Sequence, residues 1–122
     1  MFADRAYHHH IDNAYHYNKK LLDVMLPLIQ KLGLVVDDVR RMGVSSLDLC
    51  YVAEGCAEMY FEVDMHIWDV SAGALIVTEA GGFVLPDHLA AQRMHGIQII
   101  ASNGRFPIDL VREITDLDLS QW

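Results

Sequence analysis

Apolar residues recur at helical spacing in the segment that begins at Asn18. In NKKLLDVMLPLIQKLG they fall three or four positions apart, and Gly33 follows the last of them. This spacing puts the apolar side chains on one face of a helix, and glycine commonly ends helices. We therefore predict a helix that stops at Gly33, with an apolar face formed by Leu21, Leu22, Met25, Leu28, Ile29 and Leu32.

The rest of the chain alternates between strand-like and helix-like patterns. The segments LVVDDVRRMG, AEMYFEV, FVLP and IQIIAS are rich in β-branched and aromatic residues, which favour strands. SSLDLCYVAEG predicts a helix with Ser45 or Ser46 as N-cap and Gly55 as C-cap. A further helix runs from a cap at Asp69 to the glycine pair of EAGG, and FPIDLVREITDL predicts a closing helix. Strands separated by helices indicate an α/β fold, which we expect residues 1–122 to form as a single domain.

Charge and composition narrow the function classes. Nine basic residues against 17 acidic ones give a formal charge of −8, and no stretch is rich in Lys or Arg. This balance argues against binding to nucleic acid or to an anionic membrane. No stretch approaches the roughly 20 apolar residues of a membrane span, and the first residues lack the apolar core of a secretory signal. The predicted location is the cytoplasm.

The cysteines and a run of histidines could in principle bind metal ions, but both are explained more simply without a metal. Cys50 and Cys56 stand among apolar residues, so we interpret them as core thiols in a reducing compartment rather than as a disulfide or a zinc site. His8, His9 and His10 are adjacent, and adjacent side chains point in different directions on a helix or a strand. A tag remnant or a solvated polar start therefore explains them better than a specific metal site.

Residues that could bind a cation or a substrate stand at two predicted turns. Gly43, Val44 and Ser45 stand at a predicted strand-to-helix turn, where free backbone N–H groups favour an anionic or hydroxyl-rich ligand. Asp69 stands at a second helix start, and Glu62 precedes it by seven residues at the end of the preceding predicted strand. One acid could hold a cation while the other accepts hydrogen bonds from substrate hydroxyls. From the residues alone, an ordinary helix cap at Asp69 and a purely structural Glu62 are the simpler interpretations.

A family resemblance favours the ligand interpretation. VRRMGVSSLDLCYVAEGCAEMYFEV and HIWDVSAGALIVTEAGG carry it, and the second segment fits the pattern W-D-x-x-A-x-x-x-[IV]-x-x-E-A-G-G. From Val39 to Asn103 the chain resembles the C-terminal part of the inositol monophosphatase family, which comprises magnesium-dependent, lithium-sensitive phosphomonoesterases. The resemblance implies the C-terminal lobe of that family's layered αβαβα fold.

The resemblance also implies roles for individual residues. Asp69 corresponds to a catalytic carboxylate that binds Mg²⁺, and Glu62 to the acid that contacts substrate hydroxyls. The turn at Gly43, Val44 and Ser45 corresponds to the lining of the substrate pocket. Glu79 and the pair Gly81–Gly82 resemble structural residues that tie the helix end to the sheet. The implied substrate is inositol monophosphate or a related small sugar or nucleotide phosphate.

Departures from the family pattern limit what this chain does by itself. The D-P-[IL]-D-G-[ST] segment, whose carboxylates hold most of the metal ions, is absent from these 122 residues. Position 44 is Val rather than a small polar residue, and the loop after Pro86 is shorter than the family's hairpin. We therefore expect a partner, an N-terminal lobe of the same enzyme, and otherwise a homo-oligomer formed through the uncovered apolar face. The alternative is a non-catalytic interaction module that retains the fold.

Overall fold

A computed structural model of the chain describes residues 19–85 and 96–106. The chain divides into two compact units, Met1–Gly43 and Val44–Trp122, which are described separately. Three predictions lie outside the described residues: the histidine run at residues 8–10, the shortened loop after Pro86 and the closing helix beyond Phe106.

The first unit contains the predicted N-terminal helix. Helix α1 is Lys19–Leu32, and Pro27 lies inside it. Its first turn carries an exposed ion pair, in which Lys19 Nζ lies 2.7 Å from Asp23 Oδ2. The apolar periodicity is confirmed, because the side chains at helical spacing that are buried include Met25, Leu28 and Leu32.

The strand predicted over residues 34–43 is wrong. The segment forms turns and irregular backbone, and the side chain of Leu34 is 86% exposed. The amides of Val35 and Val36 both donate to the carbonyl oxygen of Leu32, at 2.9 and 3.0 Å, so they extend the helix end into a turn. β-Branched residues favour a strand only when a neighbouring strand pairs with them, and the backbone here bonds locally instead.

In the described residues of the second unit, three strands form an antiparallel sheet. Its strands are β1, Met59–Met65, β2, Phe83–Leu85, and β3, Ile97–Ser102. Their order is β1-β3-β2, so the last of the described strands in sequence lies in the centre. Ala101 of β3 pairs with Tyr60 on one side and with Val84 on the other. The three strands predicted after residue 55 are therefore confirmed.

Two helices pack against this sheet. Helix α2 is Ser45–Glu54 and helix α3 is Ile67–Glu79. Residues of both helices and all three strands form one buried cluster: Leu49, Val52, Tyr60, Val70, Ala74, Val77, Val84, Ile97, Ile99 and Ala101. Alternate residues of β3 contribute to it, as expected for one face of a strand.

Among the described residues, no helix combines the length and the apolar character needed to cross a bilayer.

The boundaries of α2 correct one predicted cap and confirm the other. Val44 is the N-cap in an extended conformation, and it makes no side-chain capping bond. Ser45 is already helical, so both serines lie one or two residues too late to be the N-cap. At the other end Gly55 adopts a φ of +87°, the left-handed conformation that glycine tolerates best. The predicted C-cap is therefore confirmed.

The cysteines are less buried than predicted. Cys50 is half-buried and Cys56 is exposed, and both are free thiols. The apolar neighbours of Cys56 in sequence do not cover it, because it lies just beyond the end of α2, where its amide donates to the Tyr51 carbonyl oxygen. Interpreting both residues as core thiols is therefore wrong.

Candidate functional site

Asp69 lies in the first turn of α3, immediately after β1. The N-cap of the helix is His66, with extended backbone angles of −93° and 152°, so Asp69 is the third helical residue and not the cap itself. Its carboxylate nevertheless has a capping role, because Oδ2 accepts the backbone N–H of His66 at 3.2 Å. The predicted position was wrong by three residues, but the predicted contact with a helix N-terminus is present.

The side chain of His66 also lies beside this carboxylate. Its Nδ1 atom is 3.3 Å from Asp69 Oδ2. On its other side, the imidazole stacks with the indole of Trp68, with ring centroids 4.7 Å apart and planes inclined by 13°. The side chain of Asp69 is 38% exposed, so solvent or a ligand reaches it.

Glu62 occupies a different setting, in the interior of β1 rather than at its end. It pairs with Ile99 of β3, a member of the buried cluster. Cross-strand partners point to the same side of a sheet, so Glu62 faces the side that the helices cover. Its side chain is buried, and this burial raises the pKa of its carboxyl group to about 7. A carboxyl group of this kind exchanges a proton near neutral pH.

A β-bulge separates Glu62 from the start of α3. Glu62 pairs with Ile99, whereas Met65 pairs with Ile97, so β1 has one residue more than β3 between these pairs. The extra residue is accommodated by Asp64, which has a φ of +59°. Bulges redirect side chains and are common next to functional sites. Here the bulge keeps Met65 on the same face as Glu62, where it packs against the buried cluster.

The predicted pocket-lining turn precedes α2. Gly43 has a φ of +78°, and Val44 is extended and 46% exposed. The carbonyl oxygen of Val44 accepts the amides of Leu47 and Asp48, each at 3.0 Å. The turn joins irregular backbone to a helix, so its description as a strand-to-helix turn is wrong. The boundary between the two compact units also falls between Gly43 and Val44.

The glycine pair after α3 has the structural character that the resemblance implied. Gly81 has a φ of +88°, and the amide of Gly82 donates to the Val77 carbonyl oxygen at 2.9 Å. A Cβ atom added to Gly82 would lie 2.5 Å from the carbonyl oxygen of Ser102, in β3. The chain after the helix therefore passes directly against the central strand. Glu79 is exposed in the last turn of α3.

Asn103 holds the start of β1 against the end of β3, and our sequence interpretation overlooked it. Its Nδ2 donates to the Ala57 carbonyl oxygen at 3.0 Å, and its Oδ1 accepts the amide of Arg105 at 3.0 Å. Its own amide donates to the carbonyl oxygen of Glu58 at 3.1 Å. The signal was present in SNG, because Asn before Gly at a strand end is typical of turns.

The carboxylate of Asp69 could serve as one ligand of a magnesium site. Mg²⁺ prefers oxygen ligands and takes carboxylates together with waters and substrate phosphates, and this side chain offers an accessible oxygen. In the ranges 19–85 and 96–106, no group of three His, Cys, Asp or Glu residues is placed to hold a metal ion. The described residues thus fit as one ligand of such a site and not as the whole of it.

Comparisons with known proteins show what this chain is similar to. The family model described as the inositol monophosphatase family matches residues 4–110. The Nus factor SuhB of Pasteurella multocida is 48% identical over 65 residues, which cover 53% of this chain and 24% of that protein. Inositol-1-monophosphatase of Mycobacterium leprae is 44% identical over 85 residues, which cover 69% of this chain and 27% of that protein.

A solved structure shows the same fold. The extragenic suppressor protein suhB of Bartonella henselae superposes with a TM-score of 0.64 and 36% identity, covering 75% of this chain and 39% of that one. The predicted α/β fold class is therefore confirmed. In each comparison this chain spans well under half of the relative's length.

Proposed function

Because this chain belongs to the inositol monophosphatase family, we propose that it forms the C-terminal part of a magnesium-dependent phosphomonoesterase. The proposed substrate is inositol monophosphate or a related small sugar or nucleotide phosphate. The observation that carries the proposal is the carboxylate of Asp69, held by the first turn of α3 and still accessible to solvent. An unbroken match to the W-D-x-x-A pattern surrounds that residue.

Asp69 is the residue that we assign to the metal. Its Oδ2 accepts the His66 amide, which fixes the carboxylate at the N-terminus of α3. A magnesium ion in such a site polarises the phosphate ester and makes its bound water more acidic. Asp69 contributes to this chemistry by fixing one ion and by bringing a negative charge close to it.

Glu62 and the turn at Val44 are assigned to the substrate. A carboxyl group whose pKa is raised to about 7 accepts hydrogen bonds from sugar hydroxyls when ionised and donates one when protonated. The turn supplies an exposed, uncharged surface at Val44. The apolar side chain there favours a substrate with a C–H surface at this position over one with a further hydroxyl group.

We propose that further metal ligands come from outside the residues that the structure describes. A single carboxylate holds a hard octahedral cation poorly, and these 122 residues lack the D-P-[IL]-D-G segment. Segments matching the chain make up only about a quarter of the SuhB and inositol-1-monophosphatase relatives. We propose that an N-terminal lobe supplies the remaining carboxylates, and that this chain alone turns over little substrate.

The second candidate is a non-catalytic interaction module. Two relatives, from Pasteurella multocida and Xylella fastidiosa, carry the name Nus factor rather than the name of an enzyme, which supports a role for this fold beyond hydrolysis. The apolar side chains that α3 exposes, Trp68, Leu75 and Ile76, offer a surface for such a role. Self-association and a cytoplasmic location stay predictions.

One reconstitution experiment tests the proposal. The 122-residue chain is mixed with a recombinant N-terminal lobe from the Mycobacterium leprae relative, and release of inorganic phosphate from inositol monophosphate is measured with and without magnesium. We expect magnesium-dependent release from the mixture and little from either part. A mixture that forms a complex but releases no phosphate supports the interaction module instead.

A further inference from the structure

Asn103 is followed by a glycine, and this pair of residues is chemically labile. The sequence contains the asparagines Asn13, Asn18 and Asn103, and only the last of them precedes a glycine. The backbone nitrogen of the following residue can attack the side-chain carbonyl carbon of an asparagine, and a glycine places no side chain in the way. Asparagine is for this reason one of the thermolabile residue types.

The reaction at this pair is deamidation, and it needs only water. The Gly104 nitrogen forms a bond to Cγ of Asn103 and gives its proton to water, while Nδ2 takes up a proton and leaves as ammonia. Water then adds to either carbonyl carbon of the resulting cyclic succinimide and breaks the bond from that carbon to nitrogen. The product is aspartate or isoaspartate at position 103. Gly104 and Arg105 are exposed, so water reaches this turn.

In the folded chain, hydrogen bonds hold the atoms that would react. The attacking group, the amide of Gly104, donates to Ser102 Oγ at 3.1 Å. The leaving group, Asn103 Nδ2, donates to the Ala57 carbonyl oxygen at 3.0 Å, and Oδ1 accepts the amide of Arg105 at 3.0 Å. A side chain bound at both ends cannot rotate to bring Cγ onto the nitrogen. Ring closure therefore requires these bonds to open.

We propose that Asn103 is a deamidation site that the fold protects, and that the hydroxyl group of Ser102 holds the attacking nitrogen in check. That nitrogen must lose its proton in order to attack, and the hydrogen bond to Ser102 keeps the proton in place. Ser102 is fully buried at the end of β3, so its hydroxyl group has a fixed position. Deamidation then proceeds through a local opening of the turn, and its rate follows the fraction of open chains.

The modification weakens the contact that has to open for it to occur. Neither product carries Nδ2, the donor to the Ala57 carbonyl oxygen. Isoaspartate also adds a methylene group to the main chain directly after β3, which ends at Ser102. The turn of a modified chain therefore closes less firmly than that of the original one. This inference is independent of the proposed function, because the reaction involves neither Asp69 nor Glu62.

Comparing the folded chain with a peptide measures the protection. The 122-residue chain and the synthetic peptide IIASNGRFP, which has the sequence of residues 99–107, are incubated at the same mildly alkaline pH and the same temperature. Mass spectrometry after proteolysis in acid follows the conversion of the Asn103 amide. We expect the folded chain to react at least about tenfold more slowly, because its hydrogen bonds must open first. Equal rates in the chain and the peptide would overturn the proposal.

Ser102→Ala tests the part assigned to the hydroxyl group. Alanine fits the same buried position and removes the oxygen that accepts the Gly104 amide. We expect this variant to deamidate about two- to tenfold faster than the wild type, as the loss of one hydrogen bond implies. The control is Val70→Ala, which truncates a fully buried side chain of α3 and so lowers global stability. Under conditions in which it stays folded, it should deamidate like the wild type.

Two results would contradict the proposed protection by Ser102. A folded Ser102→Ala variant that reacts no faster than the wild type overturns the role of the hydroxyl group. Equal acceleration in Ser102→Ala and Val70→Ala overturns local opening, because the reaction would then proceed through global unfolding. If Ser102→Ala does not fold, hydrogen exchange of the Gly104 amide in the wild-type chain decides the role of the hydroxyl group. Exchange as fast as in the peptide would overturn that role, and slower exchange supports it.

Discussion

Leu49 of α2 occupies the space that a side chain on Gly73 of α3 would need. A Cβ atom added to Gly73 would lie 2.6 Å from both Cβ and Cδ1 of Leu49, well inside normal contact distance. Leu49 is fully buried, so it has little room to move away. The absence of a side chain at position 73 therefore allows α2 and α3 to pack closely.

We predict that Gly73→Ala destabilises the fold even though alanine favours helices. Overpacking a filled core costs about 1–3 kcal/mol, whereas replacing a mid-helix glycine by alanine gains roughly 0.5–1 kcal/mol. Urea unfolding should show a net loss. Ser71→Ala, on the exposed side of the same helix, is the control and should leave stability unchanged or slightly raised. A Gly73→Ala chain as stable as that control contradicts the close packing.

The two glycines after α3 should respond differently to alanine. At Gly82 an added Cβ would meet the Ser102 carbonyl oxygen at 2.5 Å and Val77 Cγ1 at 2.8 Å. At Gly81 it would meet nothing within 4 Å, although the φ of +88° remains unfavourable. We expect Gly81→Ala to cost about 1 kcal/mol and Gly82→Ala distinctly more. Thermal unfolding of both variants measures the difference, and equal losses would show that only backbone conformation matters here.

Asn103 should contribute to stability through both ends of its amide. Asn103→Ala removes the bonds to Ala57 and Arg105, and each bond of this kind contributes about 0.5–1.5 kcal/mol. Asn103→Asp retains the acceptor for Arg105, but it loses the donor to Ala57 and places a carboxylate oxygen against the Ala57 carbonyl oxygen. We therefore expect both variants to have a lower unfolding free energy than the wild type. An alanine variant as stable as the wild type would show that water replaces both contacts.

The pKa of Glu62 predicts a pH-dependent stability. Burial raises this pKa from 4.5 to about 7 in the folded chain, so the folded state favours the protonated carboxyl group. The stabilisation of the folded state by the protonated Glu62 carboxyl group is complete below pH 4.5. It is lost as the pH rises through 7, and the free energy of unfolding then falls by up to about 3 kcal/mol. Glu62→Gln should lack this decline, whereas Glu58→Gln, at an exposed position, should retain it. Urea unfolding across this range provides the test, and parallel wild-type and Glu62→Gln curves contradict the raised pKa.

Local sequence patterns predicted most of the fold of the second unit. The strand IQIIAS was located with its observed bounds, and Gly55 was correctly identified as a C-cap. These features depend on residues near each other in sequence, such as alternating apolar side chains or a glycine that adopts positive φ. The strand predicted at residues 34–43 failed because a strand also needs a partner, which local composition does not reveal.

The candidate site was only partly predictable. The resemblance identified Asp69 and Glu62, but it gave no indication that Glu62 is buried in the interior of β1 or that a bulge at Asp64 follows it. Burial depends on the register with β3, formed by residues more than 30 positions later. The contact of His66 with Asp69 arises from the exact start of α3, and helix boundaries are the least reliable part of any sequence interpretation.

Replacing Asp69 by asparagine should separate folding from metal binding. Asparagine retains an oxygen that accepts the His66 amide, and it loses the interaction of the negative charge with the helix N-terminus, which contributes about 0.3–1 kcal/mol. We therefore expect Asp69→Asn to lose at most about 1 kcal/mol of unfolding free energy.

The same variant loses the negative charge that a magnesium ion requires. In the complex reconstituted with an N-terminal lobe, we expect Asp69→Asn to release almost no phosphate. The control is Asp64→Asn, which removes the same charge from an exposed position on the bulge and, because asparagine tolerates positive φ, retains its conformation. Phosphate release and urea unfolding measured on both variants complete the test. Full activity in Asp69→Asn would remove this residue from the metal site, because the substitution removes both the charge and one of the two carboxylate oxygens.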